Sequence, residues 1–287
     1  MKSRLAVLLI ITLLPFLPSC GFQKILKNGT ADEKYEAAIK YYNEKDYSRA
    51  LQLFDQIMGA MRASDKAEKI YYYYAYCYYN QKDYTLASYY FKRYATTFPN
   101  SPQAEECSFL CAYCNYMNSP EYSLDQTITF EGLKELQLFA NTYPKSKRIS
   151  ECNDLIDKLR DKLEYKDYKM AKLYYRMEDY AAAITSLNNI IKDFPGTVHK
   201  EEIMFLIFKS YHKFAKESIE EKKKDRHQKA IIAYTEFVAQ YPESQFLTEA
   251  TDLKERSKKE LEMMYKKDQA RIDRSTKASA EKTKTNK

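Results

Sequence analysis

Four copies of one short signature constrain the fold of this chain more than any other feature. Each copy consists of an aromatic residue, proline, a variable residue and serine or threonine; the prolines are Pro99, Pro144, Pro195 and Pro242, spaced 45, 51 and 47 residues apart. Every copy follows an amphipathic run, and proline ends a helix because it lacks an amide hydrogen and clashes with the preceding turn. The serine or threonine two residues later is a suitable N-cap for the next helix. The signature predicts a repeated helical unit.

A second motif divides the units into pairs of helices. An Asp-Tyr turn is followed three residues later by alanine, and another alanine lies twelve positions before that one, in three copies that keep one register. The later alanines are Ala50, Ala87 and Ala183, and the earlier ones are Ala38, Ala75 and Ala171. Small residues let two helices approach closely, while aromatic residues fill the groove between neighbouring pairs. This is the tetratricopeptide pattern.

The two motifs together predict an all-α tetratricopeptide-repeat superhelix. We expect five helix-turn-helix repeats and a C-terminal helix, with insertions at about 118–127 and 216–227 in the turns of the third and fifth repeats. Gly132 and Ala230 take the small position in those two repeats. The repeats cover about 31–63, 68–101, 103–146, 164–197 and 199–244. We assign 31–146 to repeats one to three, 147–273 to repeats four and five with a capping helix, and 274–287 to a disordered basic tail.

Composition excludes several classes of function. Five glycines in 287 residues, against an average of about 7%, disfavour Rossmann domains and phosphate-binding loops. His199, His212 and His227 stand alone without metal-ligand spacing, and no hydrolase or metalloprotease motif occurs. The net charge of +7 belongs mainly to the tail, which disfavours nucleic-acid binding. We therefore expect no enzyme activity, no catalytic residues, no metal, no cofactor and no nucleic-acid partner.

The N-terminus predicts export and lipidation. Lys2 and Arg4 precede an apolar run over 5–17, followed by Pro18, Ser19 and Cys20. A charged start, a short apolar run and a small residue before the cut describe a secretory signal peptide over 1–19. The end of the run resembles a bacterial lipobox, in which Cys20 is acylated, with palmitate among its acyl groups, and 20–30 form a tether. The alternative is an ordinary signal peptide with a chance cysteine.

Three cysteines have the spacing of an iron–sulfur cluster motif. Cys107, Cys111 and Cys114 match the form of the radical-SAM motif, but positions i, i+4 and i+7 lie on one face of a helix. Helical repeats place small apolar residues there, so we interpret these residues as buried free cysteines. Without Cys20 the chain retains five cysteines, an odd number, and no disulfide is assigned.

Tyrosines of the first two repeats form two stripes. Tyr71, Tyr74, Ala75 and Tyr78 match the packing positions of a repeat's first helix. The second stripe lines the concave groove in stacked repeats and consists of Tyr35, Ile39, Tyr42, Tyr72, Tyr76 and Tyr79. Tyrosine offers contact area at low entropy cost and a polar tip, which suits an extended peptide with bulky apolar side chains. The alternative is that these residues only pack against a neighbouring segment.

The chain resembles the BamD family, the outer-membrane lipoproteins of the β-barrel assembly machinery. The resemblance covers about 25–265 and rests on the lipobox and on three segments, YNEKDYSRALQLFDQI, FPNSPQAEE and DYKMAKLYYRMEDYAAAI…DFPGT. It implies a non-enzymatic adaptor, lipid-anchored in the outer membrane and facing the periplasm. The first repeats would receive the C-terminal strand of unfolded barrel proteins, which makes the second stripe a client-peptide groove. The later repeats would dock the periplasmic domains of BamA, with other Bam subunits as further partners.

Two other classes of binding protein remain open. One is a pilotin-like or other cell-envelope tetratricopeptide lipoprotein that serves secretion or appendage assembly. The other is a glycan-binding lipoprotein of the SusD type, although those chains are about twice as long and rich in tryptophan, which this chain lacks.

Overall fold

The computed structural model describes the backbone of residues 19–285, and these residues form an all-α protein. Its twelve helices are α1 (Ser19–Asn28), α2 (Ala31–Asn43), α3 (Tyr47–Met58), α4 (Ala67–Asn80), α5 (Tyr84–Thr97), α6 (Ala104–Asn118), α7 (Thr127–Thr142), α8 (Ile149–Arg176), α9 (Tyr180–Asp193), α10 (Lys200–Lys216), α11 (Glu220–Gln240) and α12 (Leu247–Thr285). Five helix-turn-helix pairs run from α2 to α11, and α12 follows them. The all-α tetratricopeptide-repeat fold with a C-terminal helix is confirmed.

The chain divides into two compact units, Met1–Arg160 and Asp161–Lys287. The division falls inside α8, whereas the sequence places it between 146 and 147. The first half of α8 carries Cys152, Leu155 and Leu159, which are buried in the core formed by α4 to α7. No proline or glycine interrupts α8, so one helix carries the last core residues of the first unit and begins the second.

The Asp-Tyr motif forms the turn inside three of the repeats. The residue before each aspartate lies in the left-handed region, with φ of 63° at Lys45, 63° at Lys82 and 64° at Glu178. The aspartate then caps the second helix: the Asp83 carboxylate, for example, accepts a 3.0 Å hydrogen bond from the Leu86 amide. Such a cap satisfies one of the amides left free at a helix start.

The predicted small positions lie where paired helices meet. Ala38, Ala50, Ala75, Ala87, Ala171, Ala183 and Ala230 are all fully buried. Gly132 serves the third repeat, because a Cβ built there would lie 3.2 Å from Leu159 Cδ1. The same Cβ would lie 3.5 Å from the backbone of Asn115 and Tyr116 on the paired helix α6, so an alanine would be in ordinary contact there and only the Leu159 side chain would have to shift.

The proline signature closes each repeat onto its own first helix. The Ser101 hydroxyl donates a 2.6 Å hydrogen bond to Glu68 Oε1 at the start of α4. The same bond links Ser146 to Glu105, Thr197 to Glu164 and Ser244 to Glu201. Hydrogen bonds from Ser101 and Tyr94 hold the pKa of the Glu68 carboxyl below its usual value. The sequence motifs did not predict this link.

The signature hydroxyls are not the helix N-caps that the sequence suggested. Gln103, the N-cap of α6, has no capping side-chain hydrogen bond, and its amide donates to Ser101 Oγ over 3.1 Å. His199 and Thr197 repeat this arrangement at the start of α10. The hydroxyl therefore organises the turn before the helix, and the helix begins two residues later than expected.

Three segments differ from the predicted layout. Within the predicted tether, α1 forms because Phe22, Ile25 and Leu26 share one apolar face, and Phe22 packs edge-to-face on Tyr41 at 5.5 Å.

The insertion at 216–227 lengthens α10 and α11 and leaves only a short turn between them. The predicted disordered tail is helical as far as Thr285, since no proline or glycine follows Pro242.

Candidate functional site

Four predicted groove residues of the first unit lie in one chain of ring contacts. Tyr42 on α2 meets Tyr73 on α4 with ring centroids 4.7 Å apart, and Tyr73 meets Tyr72 at 5.6 Å. Tyr72 then meets Tyr76 at 4.7 Å, and Tyr76 meets Tyr79 at 6.0 Å. All five rings are half-buried. We name this set, Tyr42, Tyr72, Tyr73, Tyr76 and Tyr79, the tyrosine surface.

The two predicted members at the start of the stripe differ from the others. Tyr35 is only 7% exposed and lies in the core with Ala38 and Phe54, beneath the Lys66 ammonium, which sits 4.7 Å from the ring centroid. Ile39 is half-buried and packs against the same core. Tyr35 is therefore a core residue and not a lining residue, and the Lys66 side chain adds cover that the sequence pattern did not predict.

Glu106 holds two rings of the tyrosine surface in place. Its carboxylate accepts a 2.6 Å hydrogen bond from the Tyr76 hydroxyl and a 3.2 Å hydrogen bond from the Tyr72 hydroxyl. Because α6 carries Glu106 and α4 carries both tyrosines, this contact joins the second and third repeats. Charge-assisted bonds of this kind are stronger than those between neutral groups.

Three phenols of this surface, those of Tyr42, Tyr72 and Tyr76, stay protonated at physiological pH because their pKa values are raised. Burial raises the pKa of Tyr42 to about 12 and that of Tyr72 to about 12. Burial and the hydrogen bond to Glu106 also raise the pKa of Tyr76. These three rings are therefore neutral, and since the hydroxyls of Tyr72 and Tyr76 already donate to Glu106, their oxygens are left as acceptors for a ligand.

A third row of aromatic residues continues the same register on α6. Phe109 stacks on Tyr113 at 6.1 Å, and Tyr113 stacks on Tyr116 at 6.1 Å. Phe109 is buried beneath the Arg148 guanidinium, 4.4 Å from its ring centroid, while Tyr113 and Tyr116 are half-buried. Sequence reasoning missed this row, although each of its members lies 37 positions after Tyr72, Tyr76 or Tyr79.

The cysteines lie in the packed interior. Cys77, Cys107, Cys111, Cys114 and Cys152 are all buried and free of disulfide bonds in the structure. Burial raises the pKa of Cys77 to about 12 and that of Cys111 to about 11. Since the thiolate is the reactive and metal-binding form, these groups are chemically inert core residues.

The predicted signal peptide lies outside the described residues except for Ser19, and the side chain of Cys20 is likewise not described. Across residues 19–285, no helix combines the length and apolar character needed to cross a bilayer.

The fold and the tyrosine surface define a helical-repeat protein with an aromatic face on its first three repeats. A family model named YfiO, described as an outer membrane lipoprotein, matches residues 27–227. The match covers well over half of the 287 residues. The chain belongs to this family of outer membrane lipoproteins.

Comparison with other proteins adds little detail. No curated protein matches the chain. It is similar to the tetratricopeptide domain of P58(IPK), with 15% identity and a TM-score of 0.38 over 85% of this chain and 59% of that one. It is also similar to the tetratricopeptide protein TTC0263 of Thermus thermophilus, with 14% identity and a TM-score of 0.29 over 80% of this chain and 98% of that one.

Proposed function

We propose that this protein is a non-enzymatic adaptor of the outer-membrane β-barrel assembly machinery, with a role like that of BamD. It would be anchored in the outer membrane through acylated Cys20 and face the periplasm. The observation that carries the proposal is the tyrosine surface on the first repeats of an outer membrane lipoprotein.

The tyrosine surface has the chemistry to bind a strand of an unfolded barrel. Such a strand presents aromatic side chains at alternate positions and backbone groups that lack partners. Edge-to-face contacts with Tyr76 or Tyr79 would hold the aromatic side chains. The phenol oxygens of Tyr72 and Tyr76, whose protons are donated to Glu106, would accept hydrogen bonds from backbone amides without requiring one sequence. This suits an adaptor that accepts many clients.

The second unit is our candidate for docking the barrel subunit. Its core gathers residues of α8 to α12, including Phe205, Phe208 and Phe237. This core includes none of the tyrosine-surface residues, so client binding and docking would use different repeats. We propose the periplasmic domains of BamA as the principal partner, with other Bam subunits as further partners.

Depletion of the protein followed by quantitative proteomics of the outer membrane tests this function. If the protein is an assembly adaptor, its depletion should cause a broad loss of β-barrel proteins from the outer membrane, because all of them use the same machinery. Lipoproteins, which do not fold as barrels, provide the internal control. Loss confined to the subunits of one secretion system or appendage would contradict the proposal and indicate a pilotin-like protein.

A further inference from the structure

A polar cavity lies between three helices of the second unit, away from the residues assigned above. Its volume is about 330 Å³, at the small end of the range found for ligand pockets. The helices α10, α11 and α12 each contribute two lining residues. These are His212 and Lys216, Lys223 and His227, and Arg256 and Glu260.

The charge around this cavity is predominantly positive. Lys216, Lys223 and Arg256 face one carboxylate, Glu260. Lys223 is paired with Glu220 at 2.8 Å. Lys216 and Arg256 form no ion pair with any residue that the structure describes. Two cationic groups at the cavity are therefore available to a ligand.

Two buried imidazoles line the inner part of the cavity. His212 is 7% exposed, and its Nδ1 lies 2.7 Å from the Ser257 hydroxyl. His227 is 2% exposed, and its Nδ1 has no hydrogen-bond partner among the described residues. The ring centroids lie 6.2 Å apart. A buried polar atom without a partner is rare in proteins, and a ligand that satisfies the ring of His227 would account for it.

We propose that this cavity is a binding site for a phosphate-class oxyanion. The three cationic side chains favour an anion and oppose a metal ion, even though two histidines and a glutamate are present. Arginine and lysine are the usual partners of phosphate oxygens, and imidazole N–H groups add further donors. The phosphate group of a lipid headgroup and free phosphate share this chemistry.

The histidines couple anion binding to pH. Burial lowers the pKa of His212 to about 4 and also lowers that of His227, so both rings are neutral in the empty site. The charged groups that surround the two rings come from all three helices and are Lys213, Lys216, Lys223, Arg256 and Glu260. A bound anion favours the protonated imidazole and raises these pKa values. Anion affinity should therefore increase as pH falls.

Calorimetric titration of the full chain in detergent with inorganic phosphate tests the site, with chloride at matched ionic strength as the blank. The variant Lys216→Gln/Arg256→Gln should bind phosphate at least tenfold more weakly than the unmodified chain. The control Lys222→Gln/Lys258→Gln removes the same charge from exposed positions outside the cavity and should change the affinity less than twofold. An equal loss of phosphate affinity in both double variants, or no phosphate binding by the unmodified chain, would overturn the proposal.

Two further titrations identify the source of the anion and the role of the histidines. Affinity for a soluble short-chain phosphatidate well above that for phosphate would assign the site to a lipid headgroup, and equal affinities would assign it to free phosphate. Sulfate keeps its charge across the range from pH 8 to pH 5.5, so tighter sulfate binding at the lower pH reports histidine protonation. Sulfate affinity that does not change over this range would overturn the proposed coupling of anion binding to histidine protonation.

Discussion

Replacing Cys20 by alanine is expected to move the protein from the membrane fraction to the soluble periplasmic fraction, or to leave it unprocessed. The lipobox predicts that this cysteine is the acylated residue, and several acyl chains on one residue would give stable anchoring where a single chain binds only marginally. Removing the thiol removes all of them at once, so the effect should be nearly complete. Fractionation and mass spectrometry of the N-terminal peptide measure it.

The matched control for this experiment is Ser19→Ala. It keeps a small residue before the cut, and the chain should still be processed and retained at the membrane. A Cys20→Ala chain that remains a mature outer-membrane protein would show that something other than this residue provides the anchor.

Replacing Tyr72 and Tyr76 together by alanine should weaken binding of a barrel C-terminal peptide by about 10- to 100-fold. Aromatic residues at the centre of an interface carry a large share of its binding free energy, and about 1.4 kcal/mol corresponds to a tenfold change in affinity. The variant also leaves Glu106 without its two phenol partners. Titration of a fluorescent peptide with the full chain in detergent, monitored by fluorescence anisotropy, gives the affinities.

Controls separate lost binding from lost structure. Tyr89→Ala removes a tyrosine that is 57% exposed and lies outside the tyrosine surface, and its peptide affinity should equal that of the unmodified chain. Circular dichroism should show that the double variant keeps its helicity. An unchanged affinity in a folded double variant would mean that Tyr72 and Tyr76 serve packing alone.

The elements governed by local chemistry could be predicted from the sequence. The Asp-Tyr turns, the buried alanines and the helix ends near Pro99 and Pro195 follow from rules that act within a few residues. Gly132 was also identifiable, because a repeat needs a small residue at that register. The stripe of Tyr72, Tyr76 and Tyr79 could be identified because the first repeat places Tyr35, Ile39 and Tyr42 at the same positions of its register.

The features that depend on distant partners could not be predicted in the same way. The covering of Tyr35 requires Lys66, and the role of Ser101 requires Glu68, which lies 33 residues earlier in the first helix of the same repeat. His227 sits in a polar segment that the sequence pattern marks as an insertion, yet it is buried because α10 and α11 are longer than expected. Such contacts emerge only when helices are packed together.

Site-specific photocrosslinking in living cells tests whether the tyrosine surface contacts client barrel proteins. A photoreactive phenylalanine analogue should be tolerated at Tyr79, which is a half-buried aromatic position on the tyrosine surface, and Tyr89 provides the matched exposed position. We expect the probe at position 79 to capture newly exported outer-membrane barrel proteins and the probe at position 89 to capture none. Equal capture at the two positions, or capture at neither of them, would contradict this expectation.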